Sequence, residues 1–404
     1  MALLRGNLQQ GHDPYVGRRY SYVCPSRRRY HWQWFWDSCF HAIALSHLDV
    51  PLAKNELLNL VSAQESDGFI GHVIHWGRRP ILPIWAYFQS RLGLRPHHTA
   101  LIQPPVLAYA ALRIFHADED MAFLREMLPH LDAYYRWLAE RRDPDGDGLI
   151  SIITPYESGL DHTPAYDSLL KVRTRPSRVI TEMRMRLLDT RHLLLSPNYN
   201  LDRILAWDRF AVEDVLVNCI YAEGLHSLAE LHQAVGNHAQ AALWRSLAKR
   251  TESAILQKCY DPATGLYFHL EGKLEHKRRV LTVTALLPLI LKSLPRERAA
   301  AIVRHLTDAN EFWLPYPVPS VARSEPSFDP VRERFLWRGP TWLNTNWFLV
   351  RGLRLHGYVE LADAIAQRSA ELVLTEGFRE YYNPLTGQGL GARGFGWSTL
   401  VVDM

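Results

Sequence analysis

Lysine is scarce in this chain. Only seven of the 46 basic side chains are lysines, at positions 54, 171, 249, 258, 273, 277 and 292, and the rest are arginines. They are scattered, and 42 acidic residues leave a formal net charge of only +4. No concentrated basic block of the kind that grips nucleic acid is present, so no nucleic-acid partner is expected. Arginine suits another partner, because its planar fork binds a carboxylate through two parallel hydrogen bonds. Cysteine is scarce too. Cys24, Cys39, Cys219 and Cys259 form no Cys-x-x-Cys pair, which excludes the common zinc and redox motifs. Isolated thiols in a reducing, cytoplasmic compartment are expected. No run of about 18 apolar residues occurs, so neither a membrane span nor a membrane partner is expected. The start, Met1–Asn7, lacks the long apolar stretch of a secretory signal.

Long alternations of apolar and polar residues are also missing, which leaves helix as the dominant pattern. Leu124, Leu128, Leu131, Tyr135 and Leu138 recur at helical spacing, as do Leu361, Ile365 and Leu372. The turns carry more information. Asp143-Pro144-Asp145-Gly146, Asp261-Pro262-Ala263-Thr264-Gly265 and Asn383-Pro384-Leu385-Thr386-Gly387 look alike, 118 and 122 residues apart. Proline disfavours helix in the residue before it, and glycine permits the tight turn that follows. Helix breaks near residues 49, 117, 236, 294 and 357 recur at about one helical hairpin's length. A sixth break is expected near Arg173–Ser177, with Arg175-Pro176 as the candidate. Six hairpins then fill residues 1–404 as one domain, and a set of that size closes into a ring. The fold expected is all-α, an (α/α)6 barrel.

In that ring the tight breaks share one end. The connections between hairpins share the other: Tyr30–Asp37, Asp67–Gln103, Glu157–Asp167, Trp337–Asn346 and Glu380–Trp397. Tyr30-His31-Trp32-Gln33-Trp34-Phe35-Trp36-Asp37 is the densest aromatic run. Flat rings stack on sugar C–H faces, and an adjacent carboxylate accepts from hydroxyls. The competing reading is a core patch with Asp37 as the N-cap of the next helix. Gln103 can donate to and accept from one hydroxyl pair. His72, His75, His97 and His98 raise a zinc question, but no helical His-x-x-x-His pair supports it, so no metal and no cofactor are expected. Asp143-x-Asp145-x-Asp147-Gly148 imitates half a calcium loop, yet its twelfth position is Thr154 rather than glutamate, which favours a structural turn.

Three carboxylates, Glu157, Asp161 and Asp167, crowd a loop shaped by Gly159 and Pro164. Glycosidic hydrolysis uses two carboxyl groups with different pKa values. Glu380, after the last amphipathic helix, supplies a second on the same face.

At these residues the chain resembles glycoside hydrolase family 63, above all the small bacterial branch that hydrolyses mannosylglycerate or glucosylglycerate. The resemblance rests on Tyr30–Asp37, Gln103-Pro104-Pro105, Glu157–Asp161, Trp337-Arg338-Gly339-Pro340 and Glu380-Tyr381-Tyr382-Asn383-Pro384. It implies an inverting enzyme with Asp161 as general acid and Glu380 as general base. It places Tyr30, Trp34, Trp36, Asp37, Gln103 and Trp342 on the sugar, Trp76 on a loop that closes over the ligand, and Trp337 near the acceptor group. The implied partner is a small glycoside whose aglycone bears a carboxylate, for which Arg173, Arg175, Arg178 and Arg191 are candidate cradles. A homo-oligomer stays open. Rival readings are an α-glucosidase on neutral oligosaccharides, a phosphorolytic enzyme, a sugar epimerase working through His97 or His98, and a non-catalytic carbohydrate-binding barrel.

Overall fold

The computed structural model describes residues 1–14, 16–77, 89, 97–196, 200–331 and 336–404. The expected connection Asp67–Gln103 therefore falls partly outside the described residues. Among the described residues, no helix is long and apolar enough to cross a membrane.

Helices α1 (Phe35–Ser46) and α2 (Val50–Val61) form the first hairpin. Its break is sharp because the Asp49 side chain caps Leu52 N–H and Pro51 sits in the first turn, where its missing N–H costs nothing. The second hairpin pairs α3 (Leu107–Asp118) with α4 (Met121–Arg142), and Asp120 caps two backbone amides there. The fourth pairs α6 (Val215–Ala234) with α7 (His238–Ala254), and the sixth pairs α9 (Leu343–Leu355) with α10 (Val359–Glu376). Inner and outer helices differ as their sequences dictate. Every residue of α1 is buried, whereas α10 buries Ala362, Ile365, Ser369 and Leu372, a single stripe at helical spacing.

Two hairpins depart from the regular pattern. The inner element of the fifth is a 3-10 segment, Val283–Ile290, ahead of α8 (Arg296–Leu306). The third has an outer helix α5 (Arg178–Leu195), capped by Ser177 just after the predicted Arg175-Pro176 break. Its inner element shrinks to a 3-10 turn, Pro164–Tyr166, and the one-turn helix Asp167–Leu170. Inner helices α3 and α6 consequently pack on each other directly. The ring runs α1, α3, α6, Val283–Ile290 and α9, and the C-terminal 3-10 segment Gly396–Asp403 closes it between α9 and α1. This is the (α/α)6 barrel, with one continuous apolar cluster reaching from Leu4 to Leu400.

The helical reading missed several short sheets. Leu8–Asp13 pairs with Arg18–Val23, and Gln33–Trp34 with Val73–Ile74. Two of the repeated turns prove to be hairpin turns. Asp261–Gly265 links Tyr260–Asp261 to Leu266–Tyr267, and Asn383–Gly387 links Arg379–Tyr382 to Gly389–Arg393. The strands are two to six residues long, too short for alternation to register in a sequence.

Candidate active site

Glu380 owes its direction to an irregularity. The register of the Arg379–Tyr382 hairpin shifts between Arg379 and Tyr381, so Glu380 faces a bulge, Gly391–Ala392, in the partner strand, a device that re-aims side chains. Its carboxylate is 3% exposed. Oε1 accepts from the Tyr30 hydroxyl at 2.9 Å, and Oε2 accepts from Ala392 N at 2.7 Å with Arg29 Nη1 at 3.4 Å. Gly391, at φ +68°, leaves that seat open: a Cβ there would lie 2.6 Å from Glu380 Oε2. Burial pushes the Glu380 pKa up, while the Ala392 amide, Arg29 and Tyr30 hold it down. Reciprocal hydrogen bonds between Thr341 and Tyr382 tie this hairpin to the start of α9.

Asp161 approaches from the third hairpin. Pro155–Ser158 is a 3-10 turn ended by Gly159 at φ +73°. Gly159 rests on the Trp36 ring so closely that a Cβ would come within 2.4 Å of it. Only glycine allows this approach, which sets Asp161 at the wall that holds Asp37. Burial, then the charges of Glu182 and Glu380, raise the Asp161 pKa to about 8. This carboxyl thus holds its proton well above the usual carboxylate range. Asp37 is 3% exposed, and burial and Glu380 raise its pKa well above the usual range.

The other two loop carboxylates act differently. Glu157 is fully buried and accepts from Arg142 at 2.7 and 2.5 Å, from Ile102 N at 3.0 Å and from Ile153 N at 2.8 Å. It is saturated, and it fixes the acid loop to the extended segment that carries Gln103. Asp167 takes the forked guanidinium of Arg338, with Nη1 at 2.9 Å from Oδ2 and Nη2 on Oδ1. Neither carboxylate lines the inner cavity.

That cavity measures about 70 Å³ and is walled by Tyr30, Trp34, Trp36, Asp37, Gln103, Gly159, Asp161, Trp337, Trp342 and Glu380, with Phe395 and Trp397. Trp337 and Trp342 stack at 3.8 Å and 7°, and Trp397 meets Trp342 and Trp36 edge-on. Gln103 Oε1 accepts from Trp36 N at 3.0 Å, which turns its amide nitrogen free to donate. Asp37 Oδ1 and Trp342 Nε1 are buried and have no hydrogen-bond partner among the described residues. A buried acceptor and donor left so are costly unless a ligand satisfies them, and hydroxyls do both.

A second cavity of about 360 Å³ adjoins the first across Tyr30, Trp34, Gln103, Asp161 and Leu336. Its wall adds Arg29, Arg178, Arg186, His31, His162 and Glu182. Glu182 Oε1 is 3.0 Å from His162 Nε2 and 3.8 Å from Arg178 Nη2. A narrow aromatic chamber walled by the carboxyls of Asp37, Asp161 and Glu380 thus opens into a cationic antechamber.

The mannosylglycerate hydrolase MGH1-like glycoside hydrolase domain matches residues 30–398. The chain belongs to this family. It is a glycoside hydrolase, 32% identical over 408 residues to the mannosylglycerate hydrolase of Thermus thermophilus, covering 94% of this chain and 95% of that one. It is 28% identical to the glucosylglycerate hydrolase of Mycolicibacterium hassiacum, covering 91% and 90%. A GH63 mannosylglycerate hydrolase from Thermus thermophilus, solved with Tris and D-glycerate, superposes with a TM-score of 0.86 at 30% identity, over 100% of this chain and 98% of that one.

Nine of the ten residues singled out in this glycoside hydrolase's sequence meet at one cavity. Trp76 does not. It is 4% exposed, donates to Gln33 Oε1 at 2.7 Å and stacks on Tyr20, away from both cavities. Asp37 is not the N-cap of α1; Trp34 holds that position and Asp37 lies inside the first turn. Of the proposed arginines only Arg178 lines the antechamber. Arg175 bonds Pro326 O at 2.9 Å, Arg173 is exposed and Arg191 faces another cavity. Glu182 and Arg186 were missed, although Arg178, Glu182 and Arg186 stand four residues apart on one helix, the spacing of a charged ladder. Asp143 accepts from Asp147 N and Gly148 N at 3.0 and 2.9 Å, the bonds of a self-contained turn.

Proposed function

We propose that this glycoside hydrolase cleaves the α-glycosidic bond of 2-O-α-mannosylglycerate, glucosylglycerate or both, with inversion at the anomeric carbon. The observation that carries this reading is the junction of the two cavities at Asp161, with the aromatic chamber on one side and Arg29, Arg178 and Arg186 on the other. The sugar occupies the chamber, its hydroxyls meeting Asp37, Gln103 and Trp342, with Tyr30, Trp34 and Trp36 against its faces. Glycerate lies in the antechamber with its carboxylate toward the arginines, which bind such groups through paired hydrogen bonds. Trp337 lies between sugar and acceptor. Trp76 reaches the ligand only if its segment moves.

Asp161, protonated at neutral pH, gives its proton to the glycosidic oxygen as the bond to the anomeric carbon breaks. Glu380, ionised and held by Tyr30, Arg29 and the Ala392 amide, takes a proton from a water that attacks the opposite face. Inversion by this route requires the carboxyls roughly 6.5–9.5 Å apart. No cofactor takes part. Residues 1–404 act as one domain, and the four free buried thiols fit a cytoplasmic setting.

A substrate screen tests this. Mannosylglycerate and glucosylglycerate are compared with neutral α-disaccharides. At least one glycerate glycoside should have the higher kcat/KM by roughly two orders of magnitude, the effect of a satisfied charged group in a buried site. Preference for the disaccharides would make the enzyme an α-glucosidase.

A further inference from the structure

The outer side of the third hairpin holds another cavity, of about 300 Å³, which the reaction does not use. Lys171, Arg184, Arg191 and Arg209 line it against a single acid, Asp208. Among the described residues none of these four cations makes an ion pair, and Arg184 Nε is buried without a hydrogen-bond partner. The two fully buried arginines are paired, Arg142 with Glu157 and Arg338 with Asp167. Four like charges around one hollow repel each other and focus a positive potential into it.

The backbone is shaped there as well. Lys171 and Asp208, with φ of +54° and +53°, are the left-handed C-caps of Asp167–Leu170 and Leu201–Trp207, and both line the cavity. The floor is apolar, with Leu169, Leu187, Leu188 and Phe210.

We propose that this cavity is a second ligand site, which takes a phosphate group, free or carried on a small apolar or part-apolar molecule. Arginine forks match phosphate oxygens pairwise, and Lys171 adds a point charge. Ser168 offers a hydroxyl. A carboxylate fits less well, because it brings one charge and two oxygens to four cations. The site follows directly on Asp167, whose partner Arg338 adjoins Trp337 of the sugar chamber. Its existence does not depend on which glycoside the enzyme cleaves.

Titration calorimetry on the full chain tests this with inorganic phosphate and phenyl phosphate, against sodium chloride at matched ionic strength. One equivalent of each phosphate should bind, phenyl phosphate the more tightly because of the apolar floor. The double variant Arg184→Gln/Arg209→Gln should weaken both by at least roughly tenfold, with unchanged unfolding temperature and glycoside turnover. If it unfolds, the exposed Arg191→Gln serves instead and should weaken both measurably. A control variant, Arg178→Gln/Arg186→Gln, should bind phosphate as the parent does. Loss of phosphate binding in that control would place the anion in the antechamber and overturn the proposal. So would the absence of binding, equal affinity in the cavity variants, or an effect that chloride reproduces. If inorganic phosphate binds as tightly as phenyl phosphate, the ligand is the free ion and the floor plays no part.

Discussion

The Tyr30 hydroxyl donates to Glu380 Oε1 at 2.9 Å, joining two residues 350 positions apart. Burial and the charge of Glu380 push the Tyr30 pKa well up, so its hydroxyl acts here only as a donor. It stabilises the ionised form of Glu380, the form a general base needs. Tyr30→Phe should raise the Glu380 pKa further. The acid limb of the kcat/KM profile, where activity falls as Glu380 gains a proton, should move to higher pH by up to about one unit. A limb that does not move would detach Tyr30 from the base.

The alkaline limb reports the other carboxyl. With Asp161 raised to about 8, activity should fall as pH rises through that value and the proton is lost. Glu182 contributes to the rise through its negative charge. Glu182→Gln should therefore lower the Asp161 pKa and shift the alkaline limb toward acid. A shift toward alkali, or none, would mean Glu182 does not act on Asp161.

Asp161→Asn should lower turnover by several orders of magnitude and also stabilise the fold. Between the ordinary carboxyl value of 3.8 and about 8 the native state holds a proton that the unfolded chain has released. Stability thus declines as pH rises through that window, and asparagine escapes the decline. Above pH 7 the variant should be more stable by about 1–2 kcal/mol, read from denaturant midpoints. Equal midpoints at pH 5 and pH 8 would argue against a buried, proton-holding Asp161.

Arg178 and Arg186 flank Glu182 in the antechamber. The double variant Arg178→Gln/Arg186→Gln should raise KM for a glycerate glycoside by roughly tenfold or more. An uncharged aryl α-glycoside should lose little. Equal losses on both would show a general distortion rather than lost carboxylate contacts.

Much of this arrangement was legible in the chain because its punctuation is chemical. Asp49-Val50-Pro51 reads as a helix break, and the structure makes it one with Asp49 as cap and Pro51 in the first turn. The third hairpin obscured the repeat because its inner helix is only one turn, Asp167–Leu170, and a turn that short has no periodicity to detect. Nor could the sequence show that Glu380 faces a bulge, because two mispaired backbone residues leave no side-chain signature. Trp76 was placed over the ligand by the resemblance alone; its bond to Gln33 and its stacking on Tyr20 hold it in the core here. The Arg178–Glu182–Arg186 ladder was readable, but its spacing also fits a solvated face until Asp161 is seen beside it.

The central claim is that Asp161 and Glu380 act from opposite sides of one sugar, with water between sugar and base. Proton NMR of the first sugar released from 2-O-α-mannosylglycerate, recorded before mutarotation, tests it most directly; glucosylglycerate serves if it is the better substrate. The β-anomer should form first, and Glu380→Gln should abolish its formation. The α-anomer as first product would contradict the pairing.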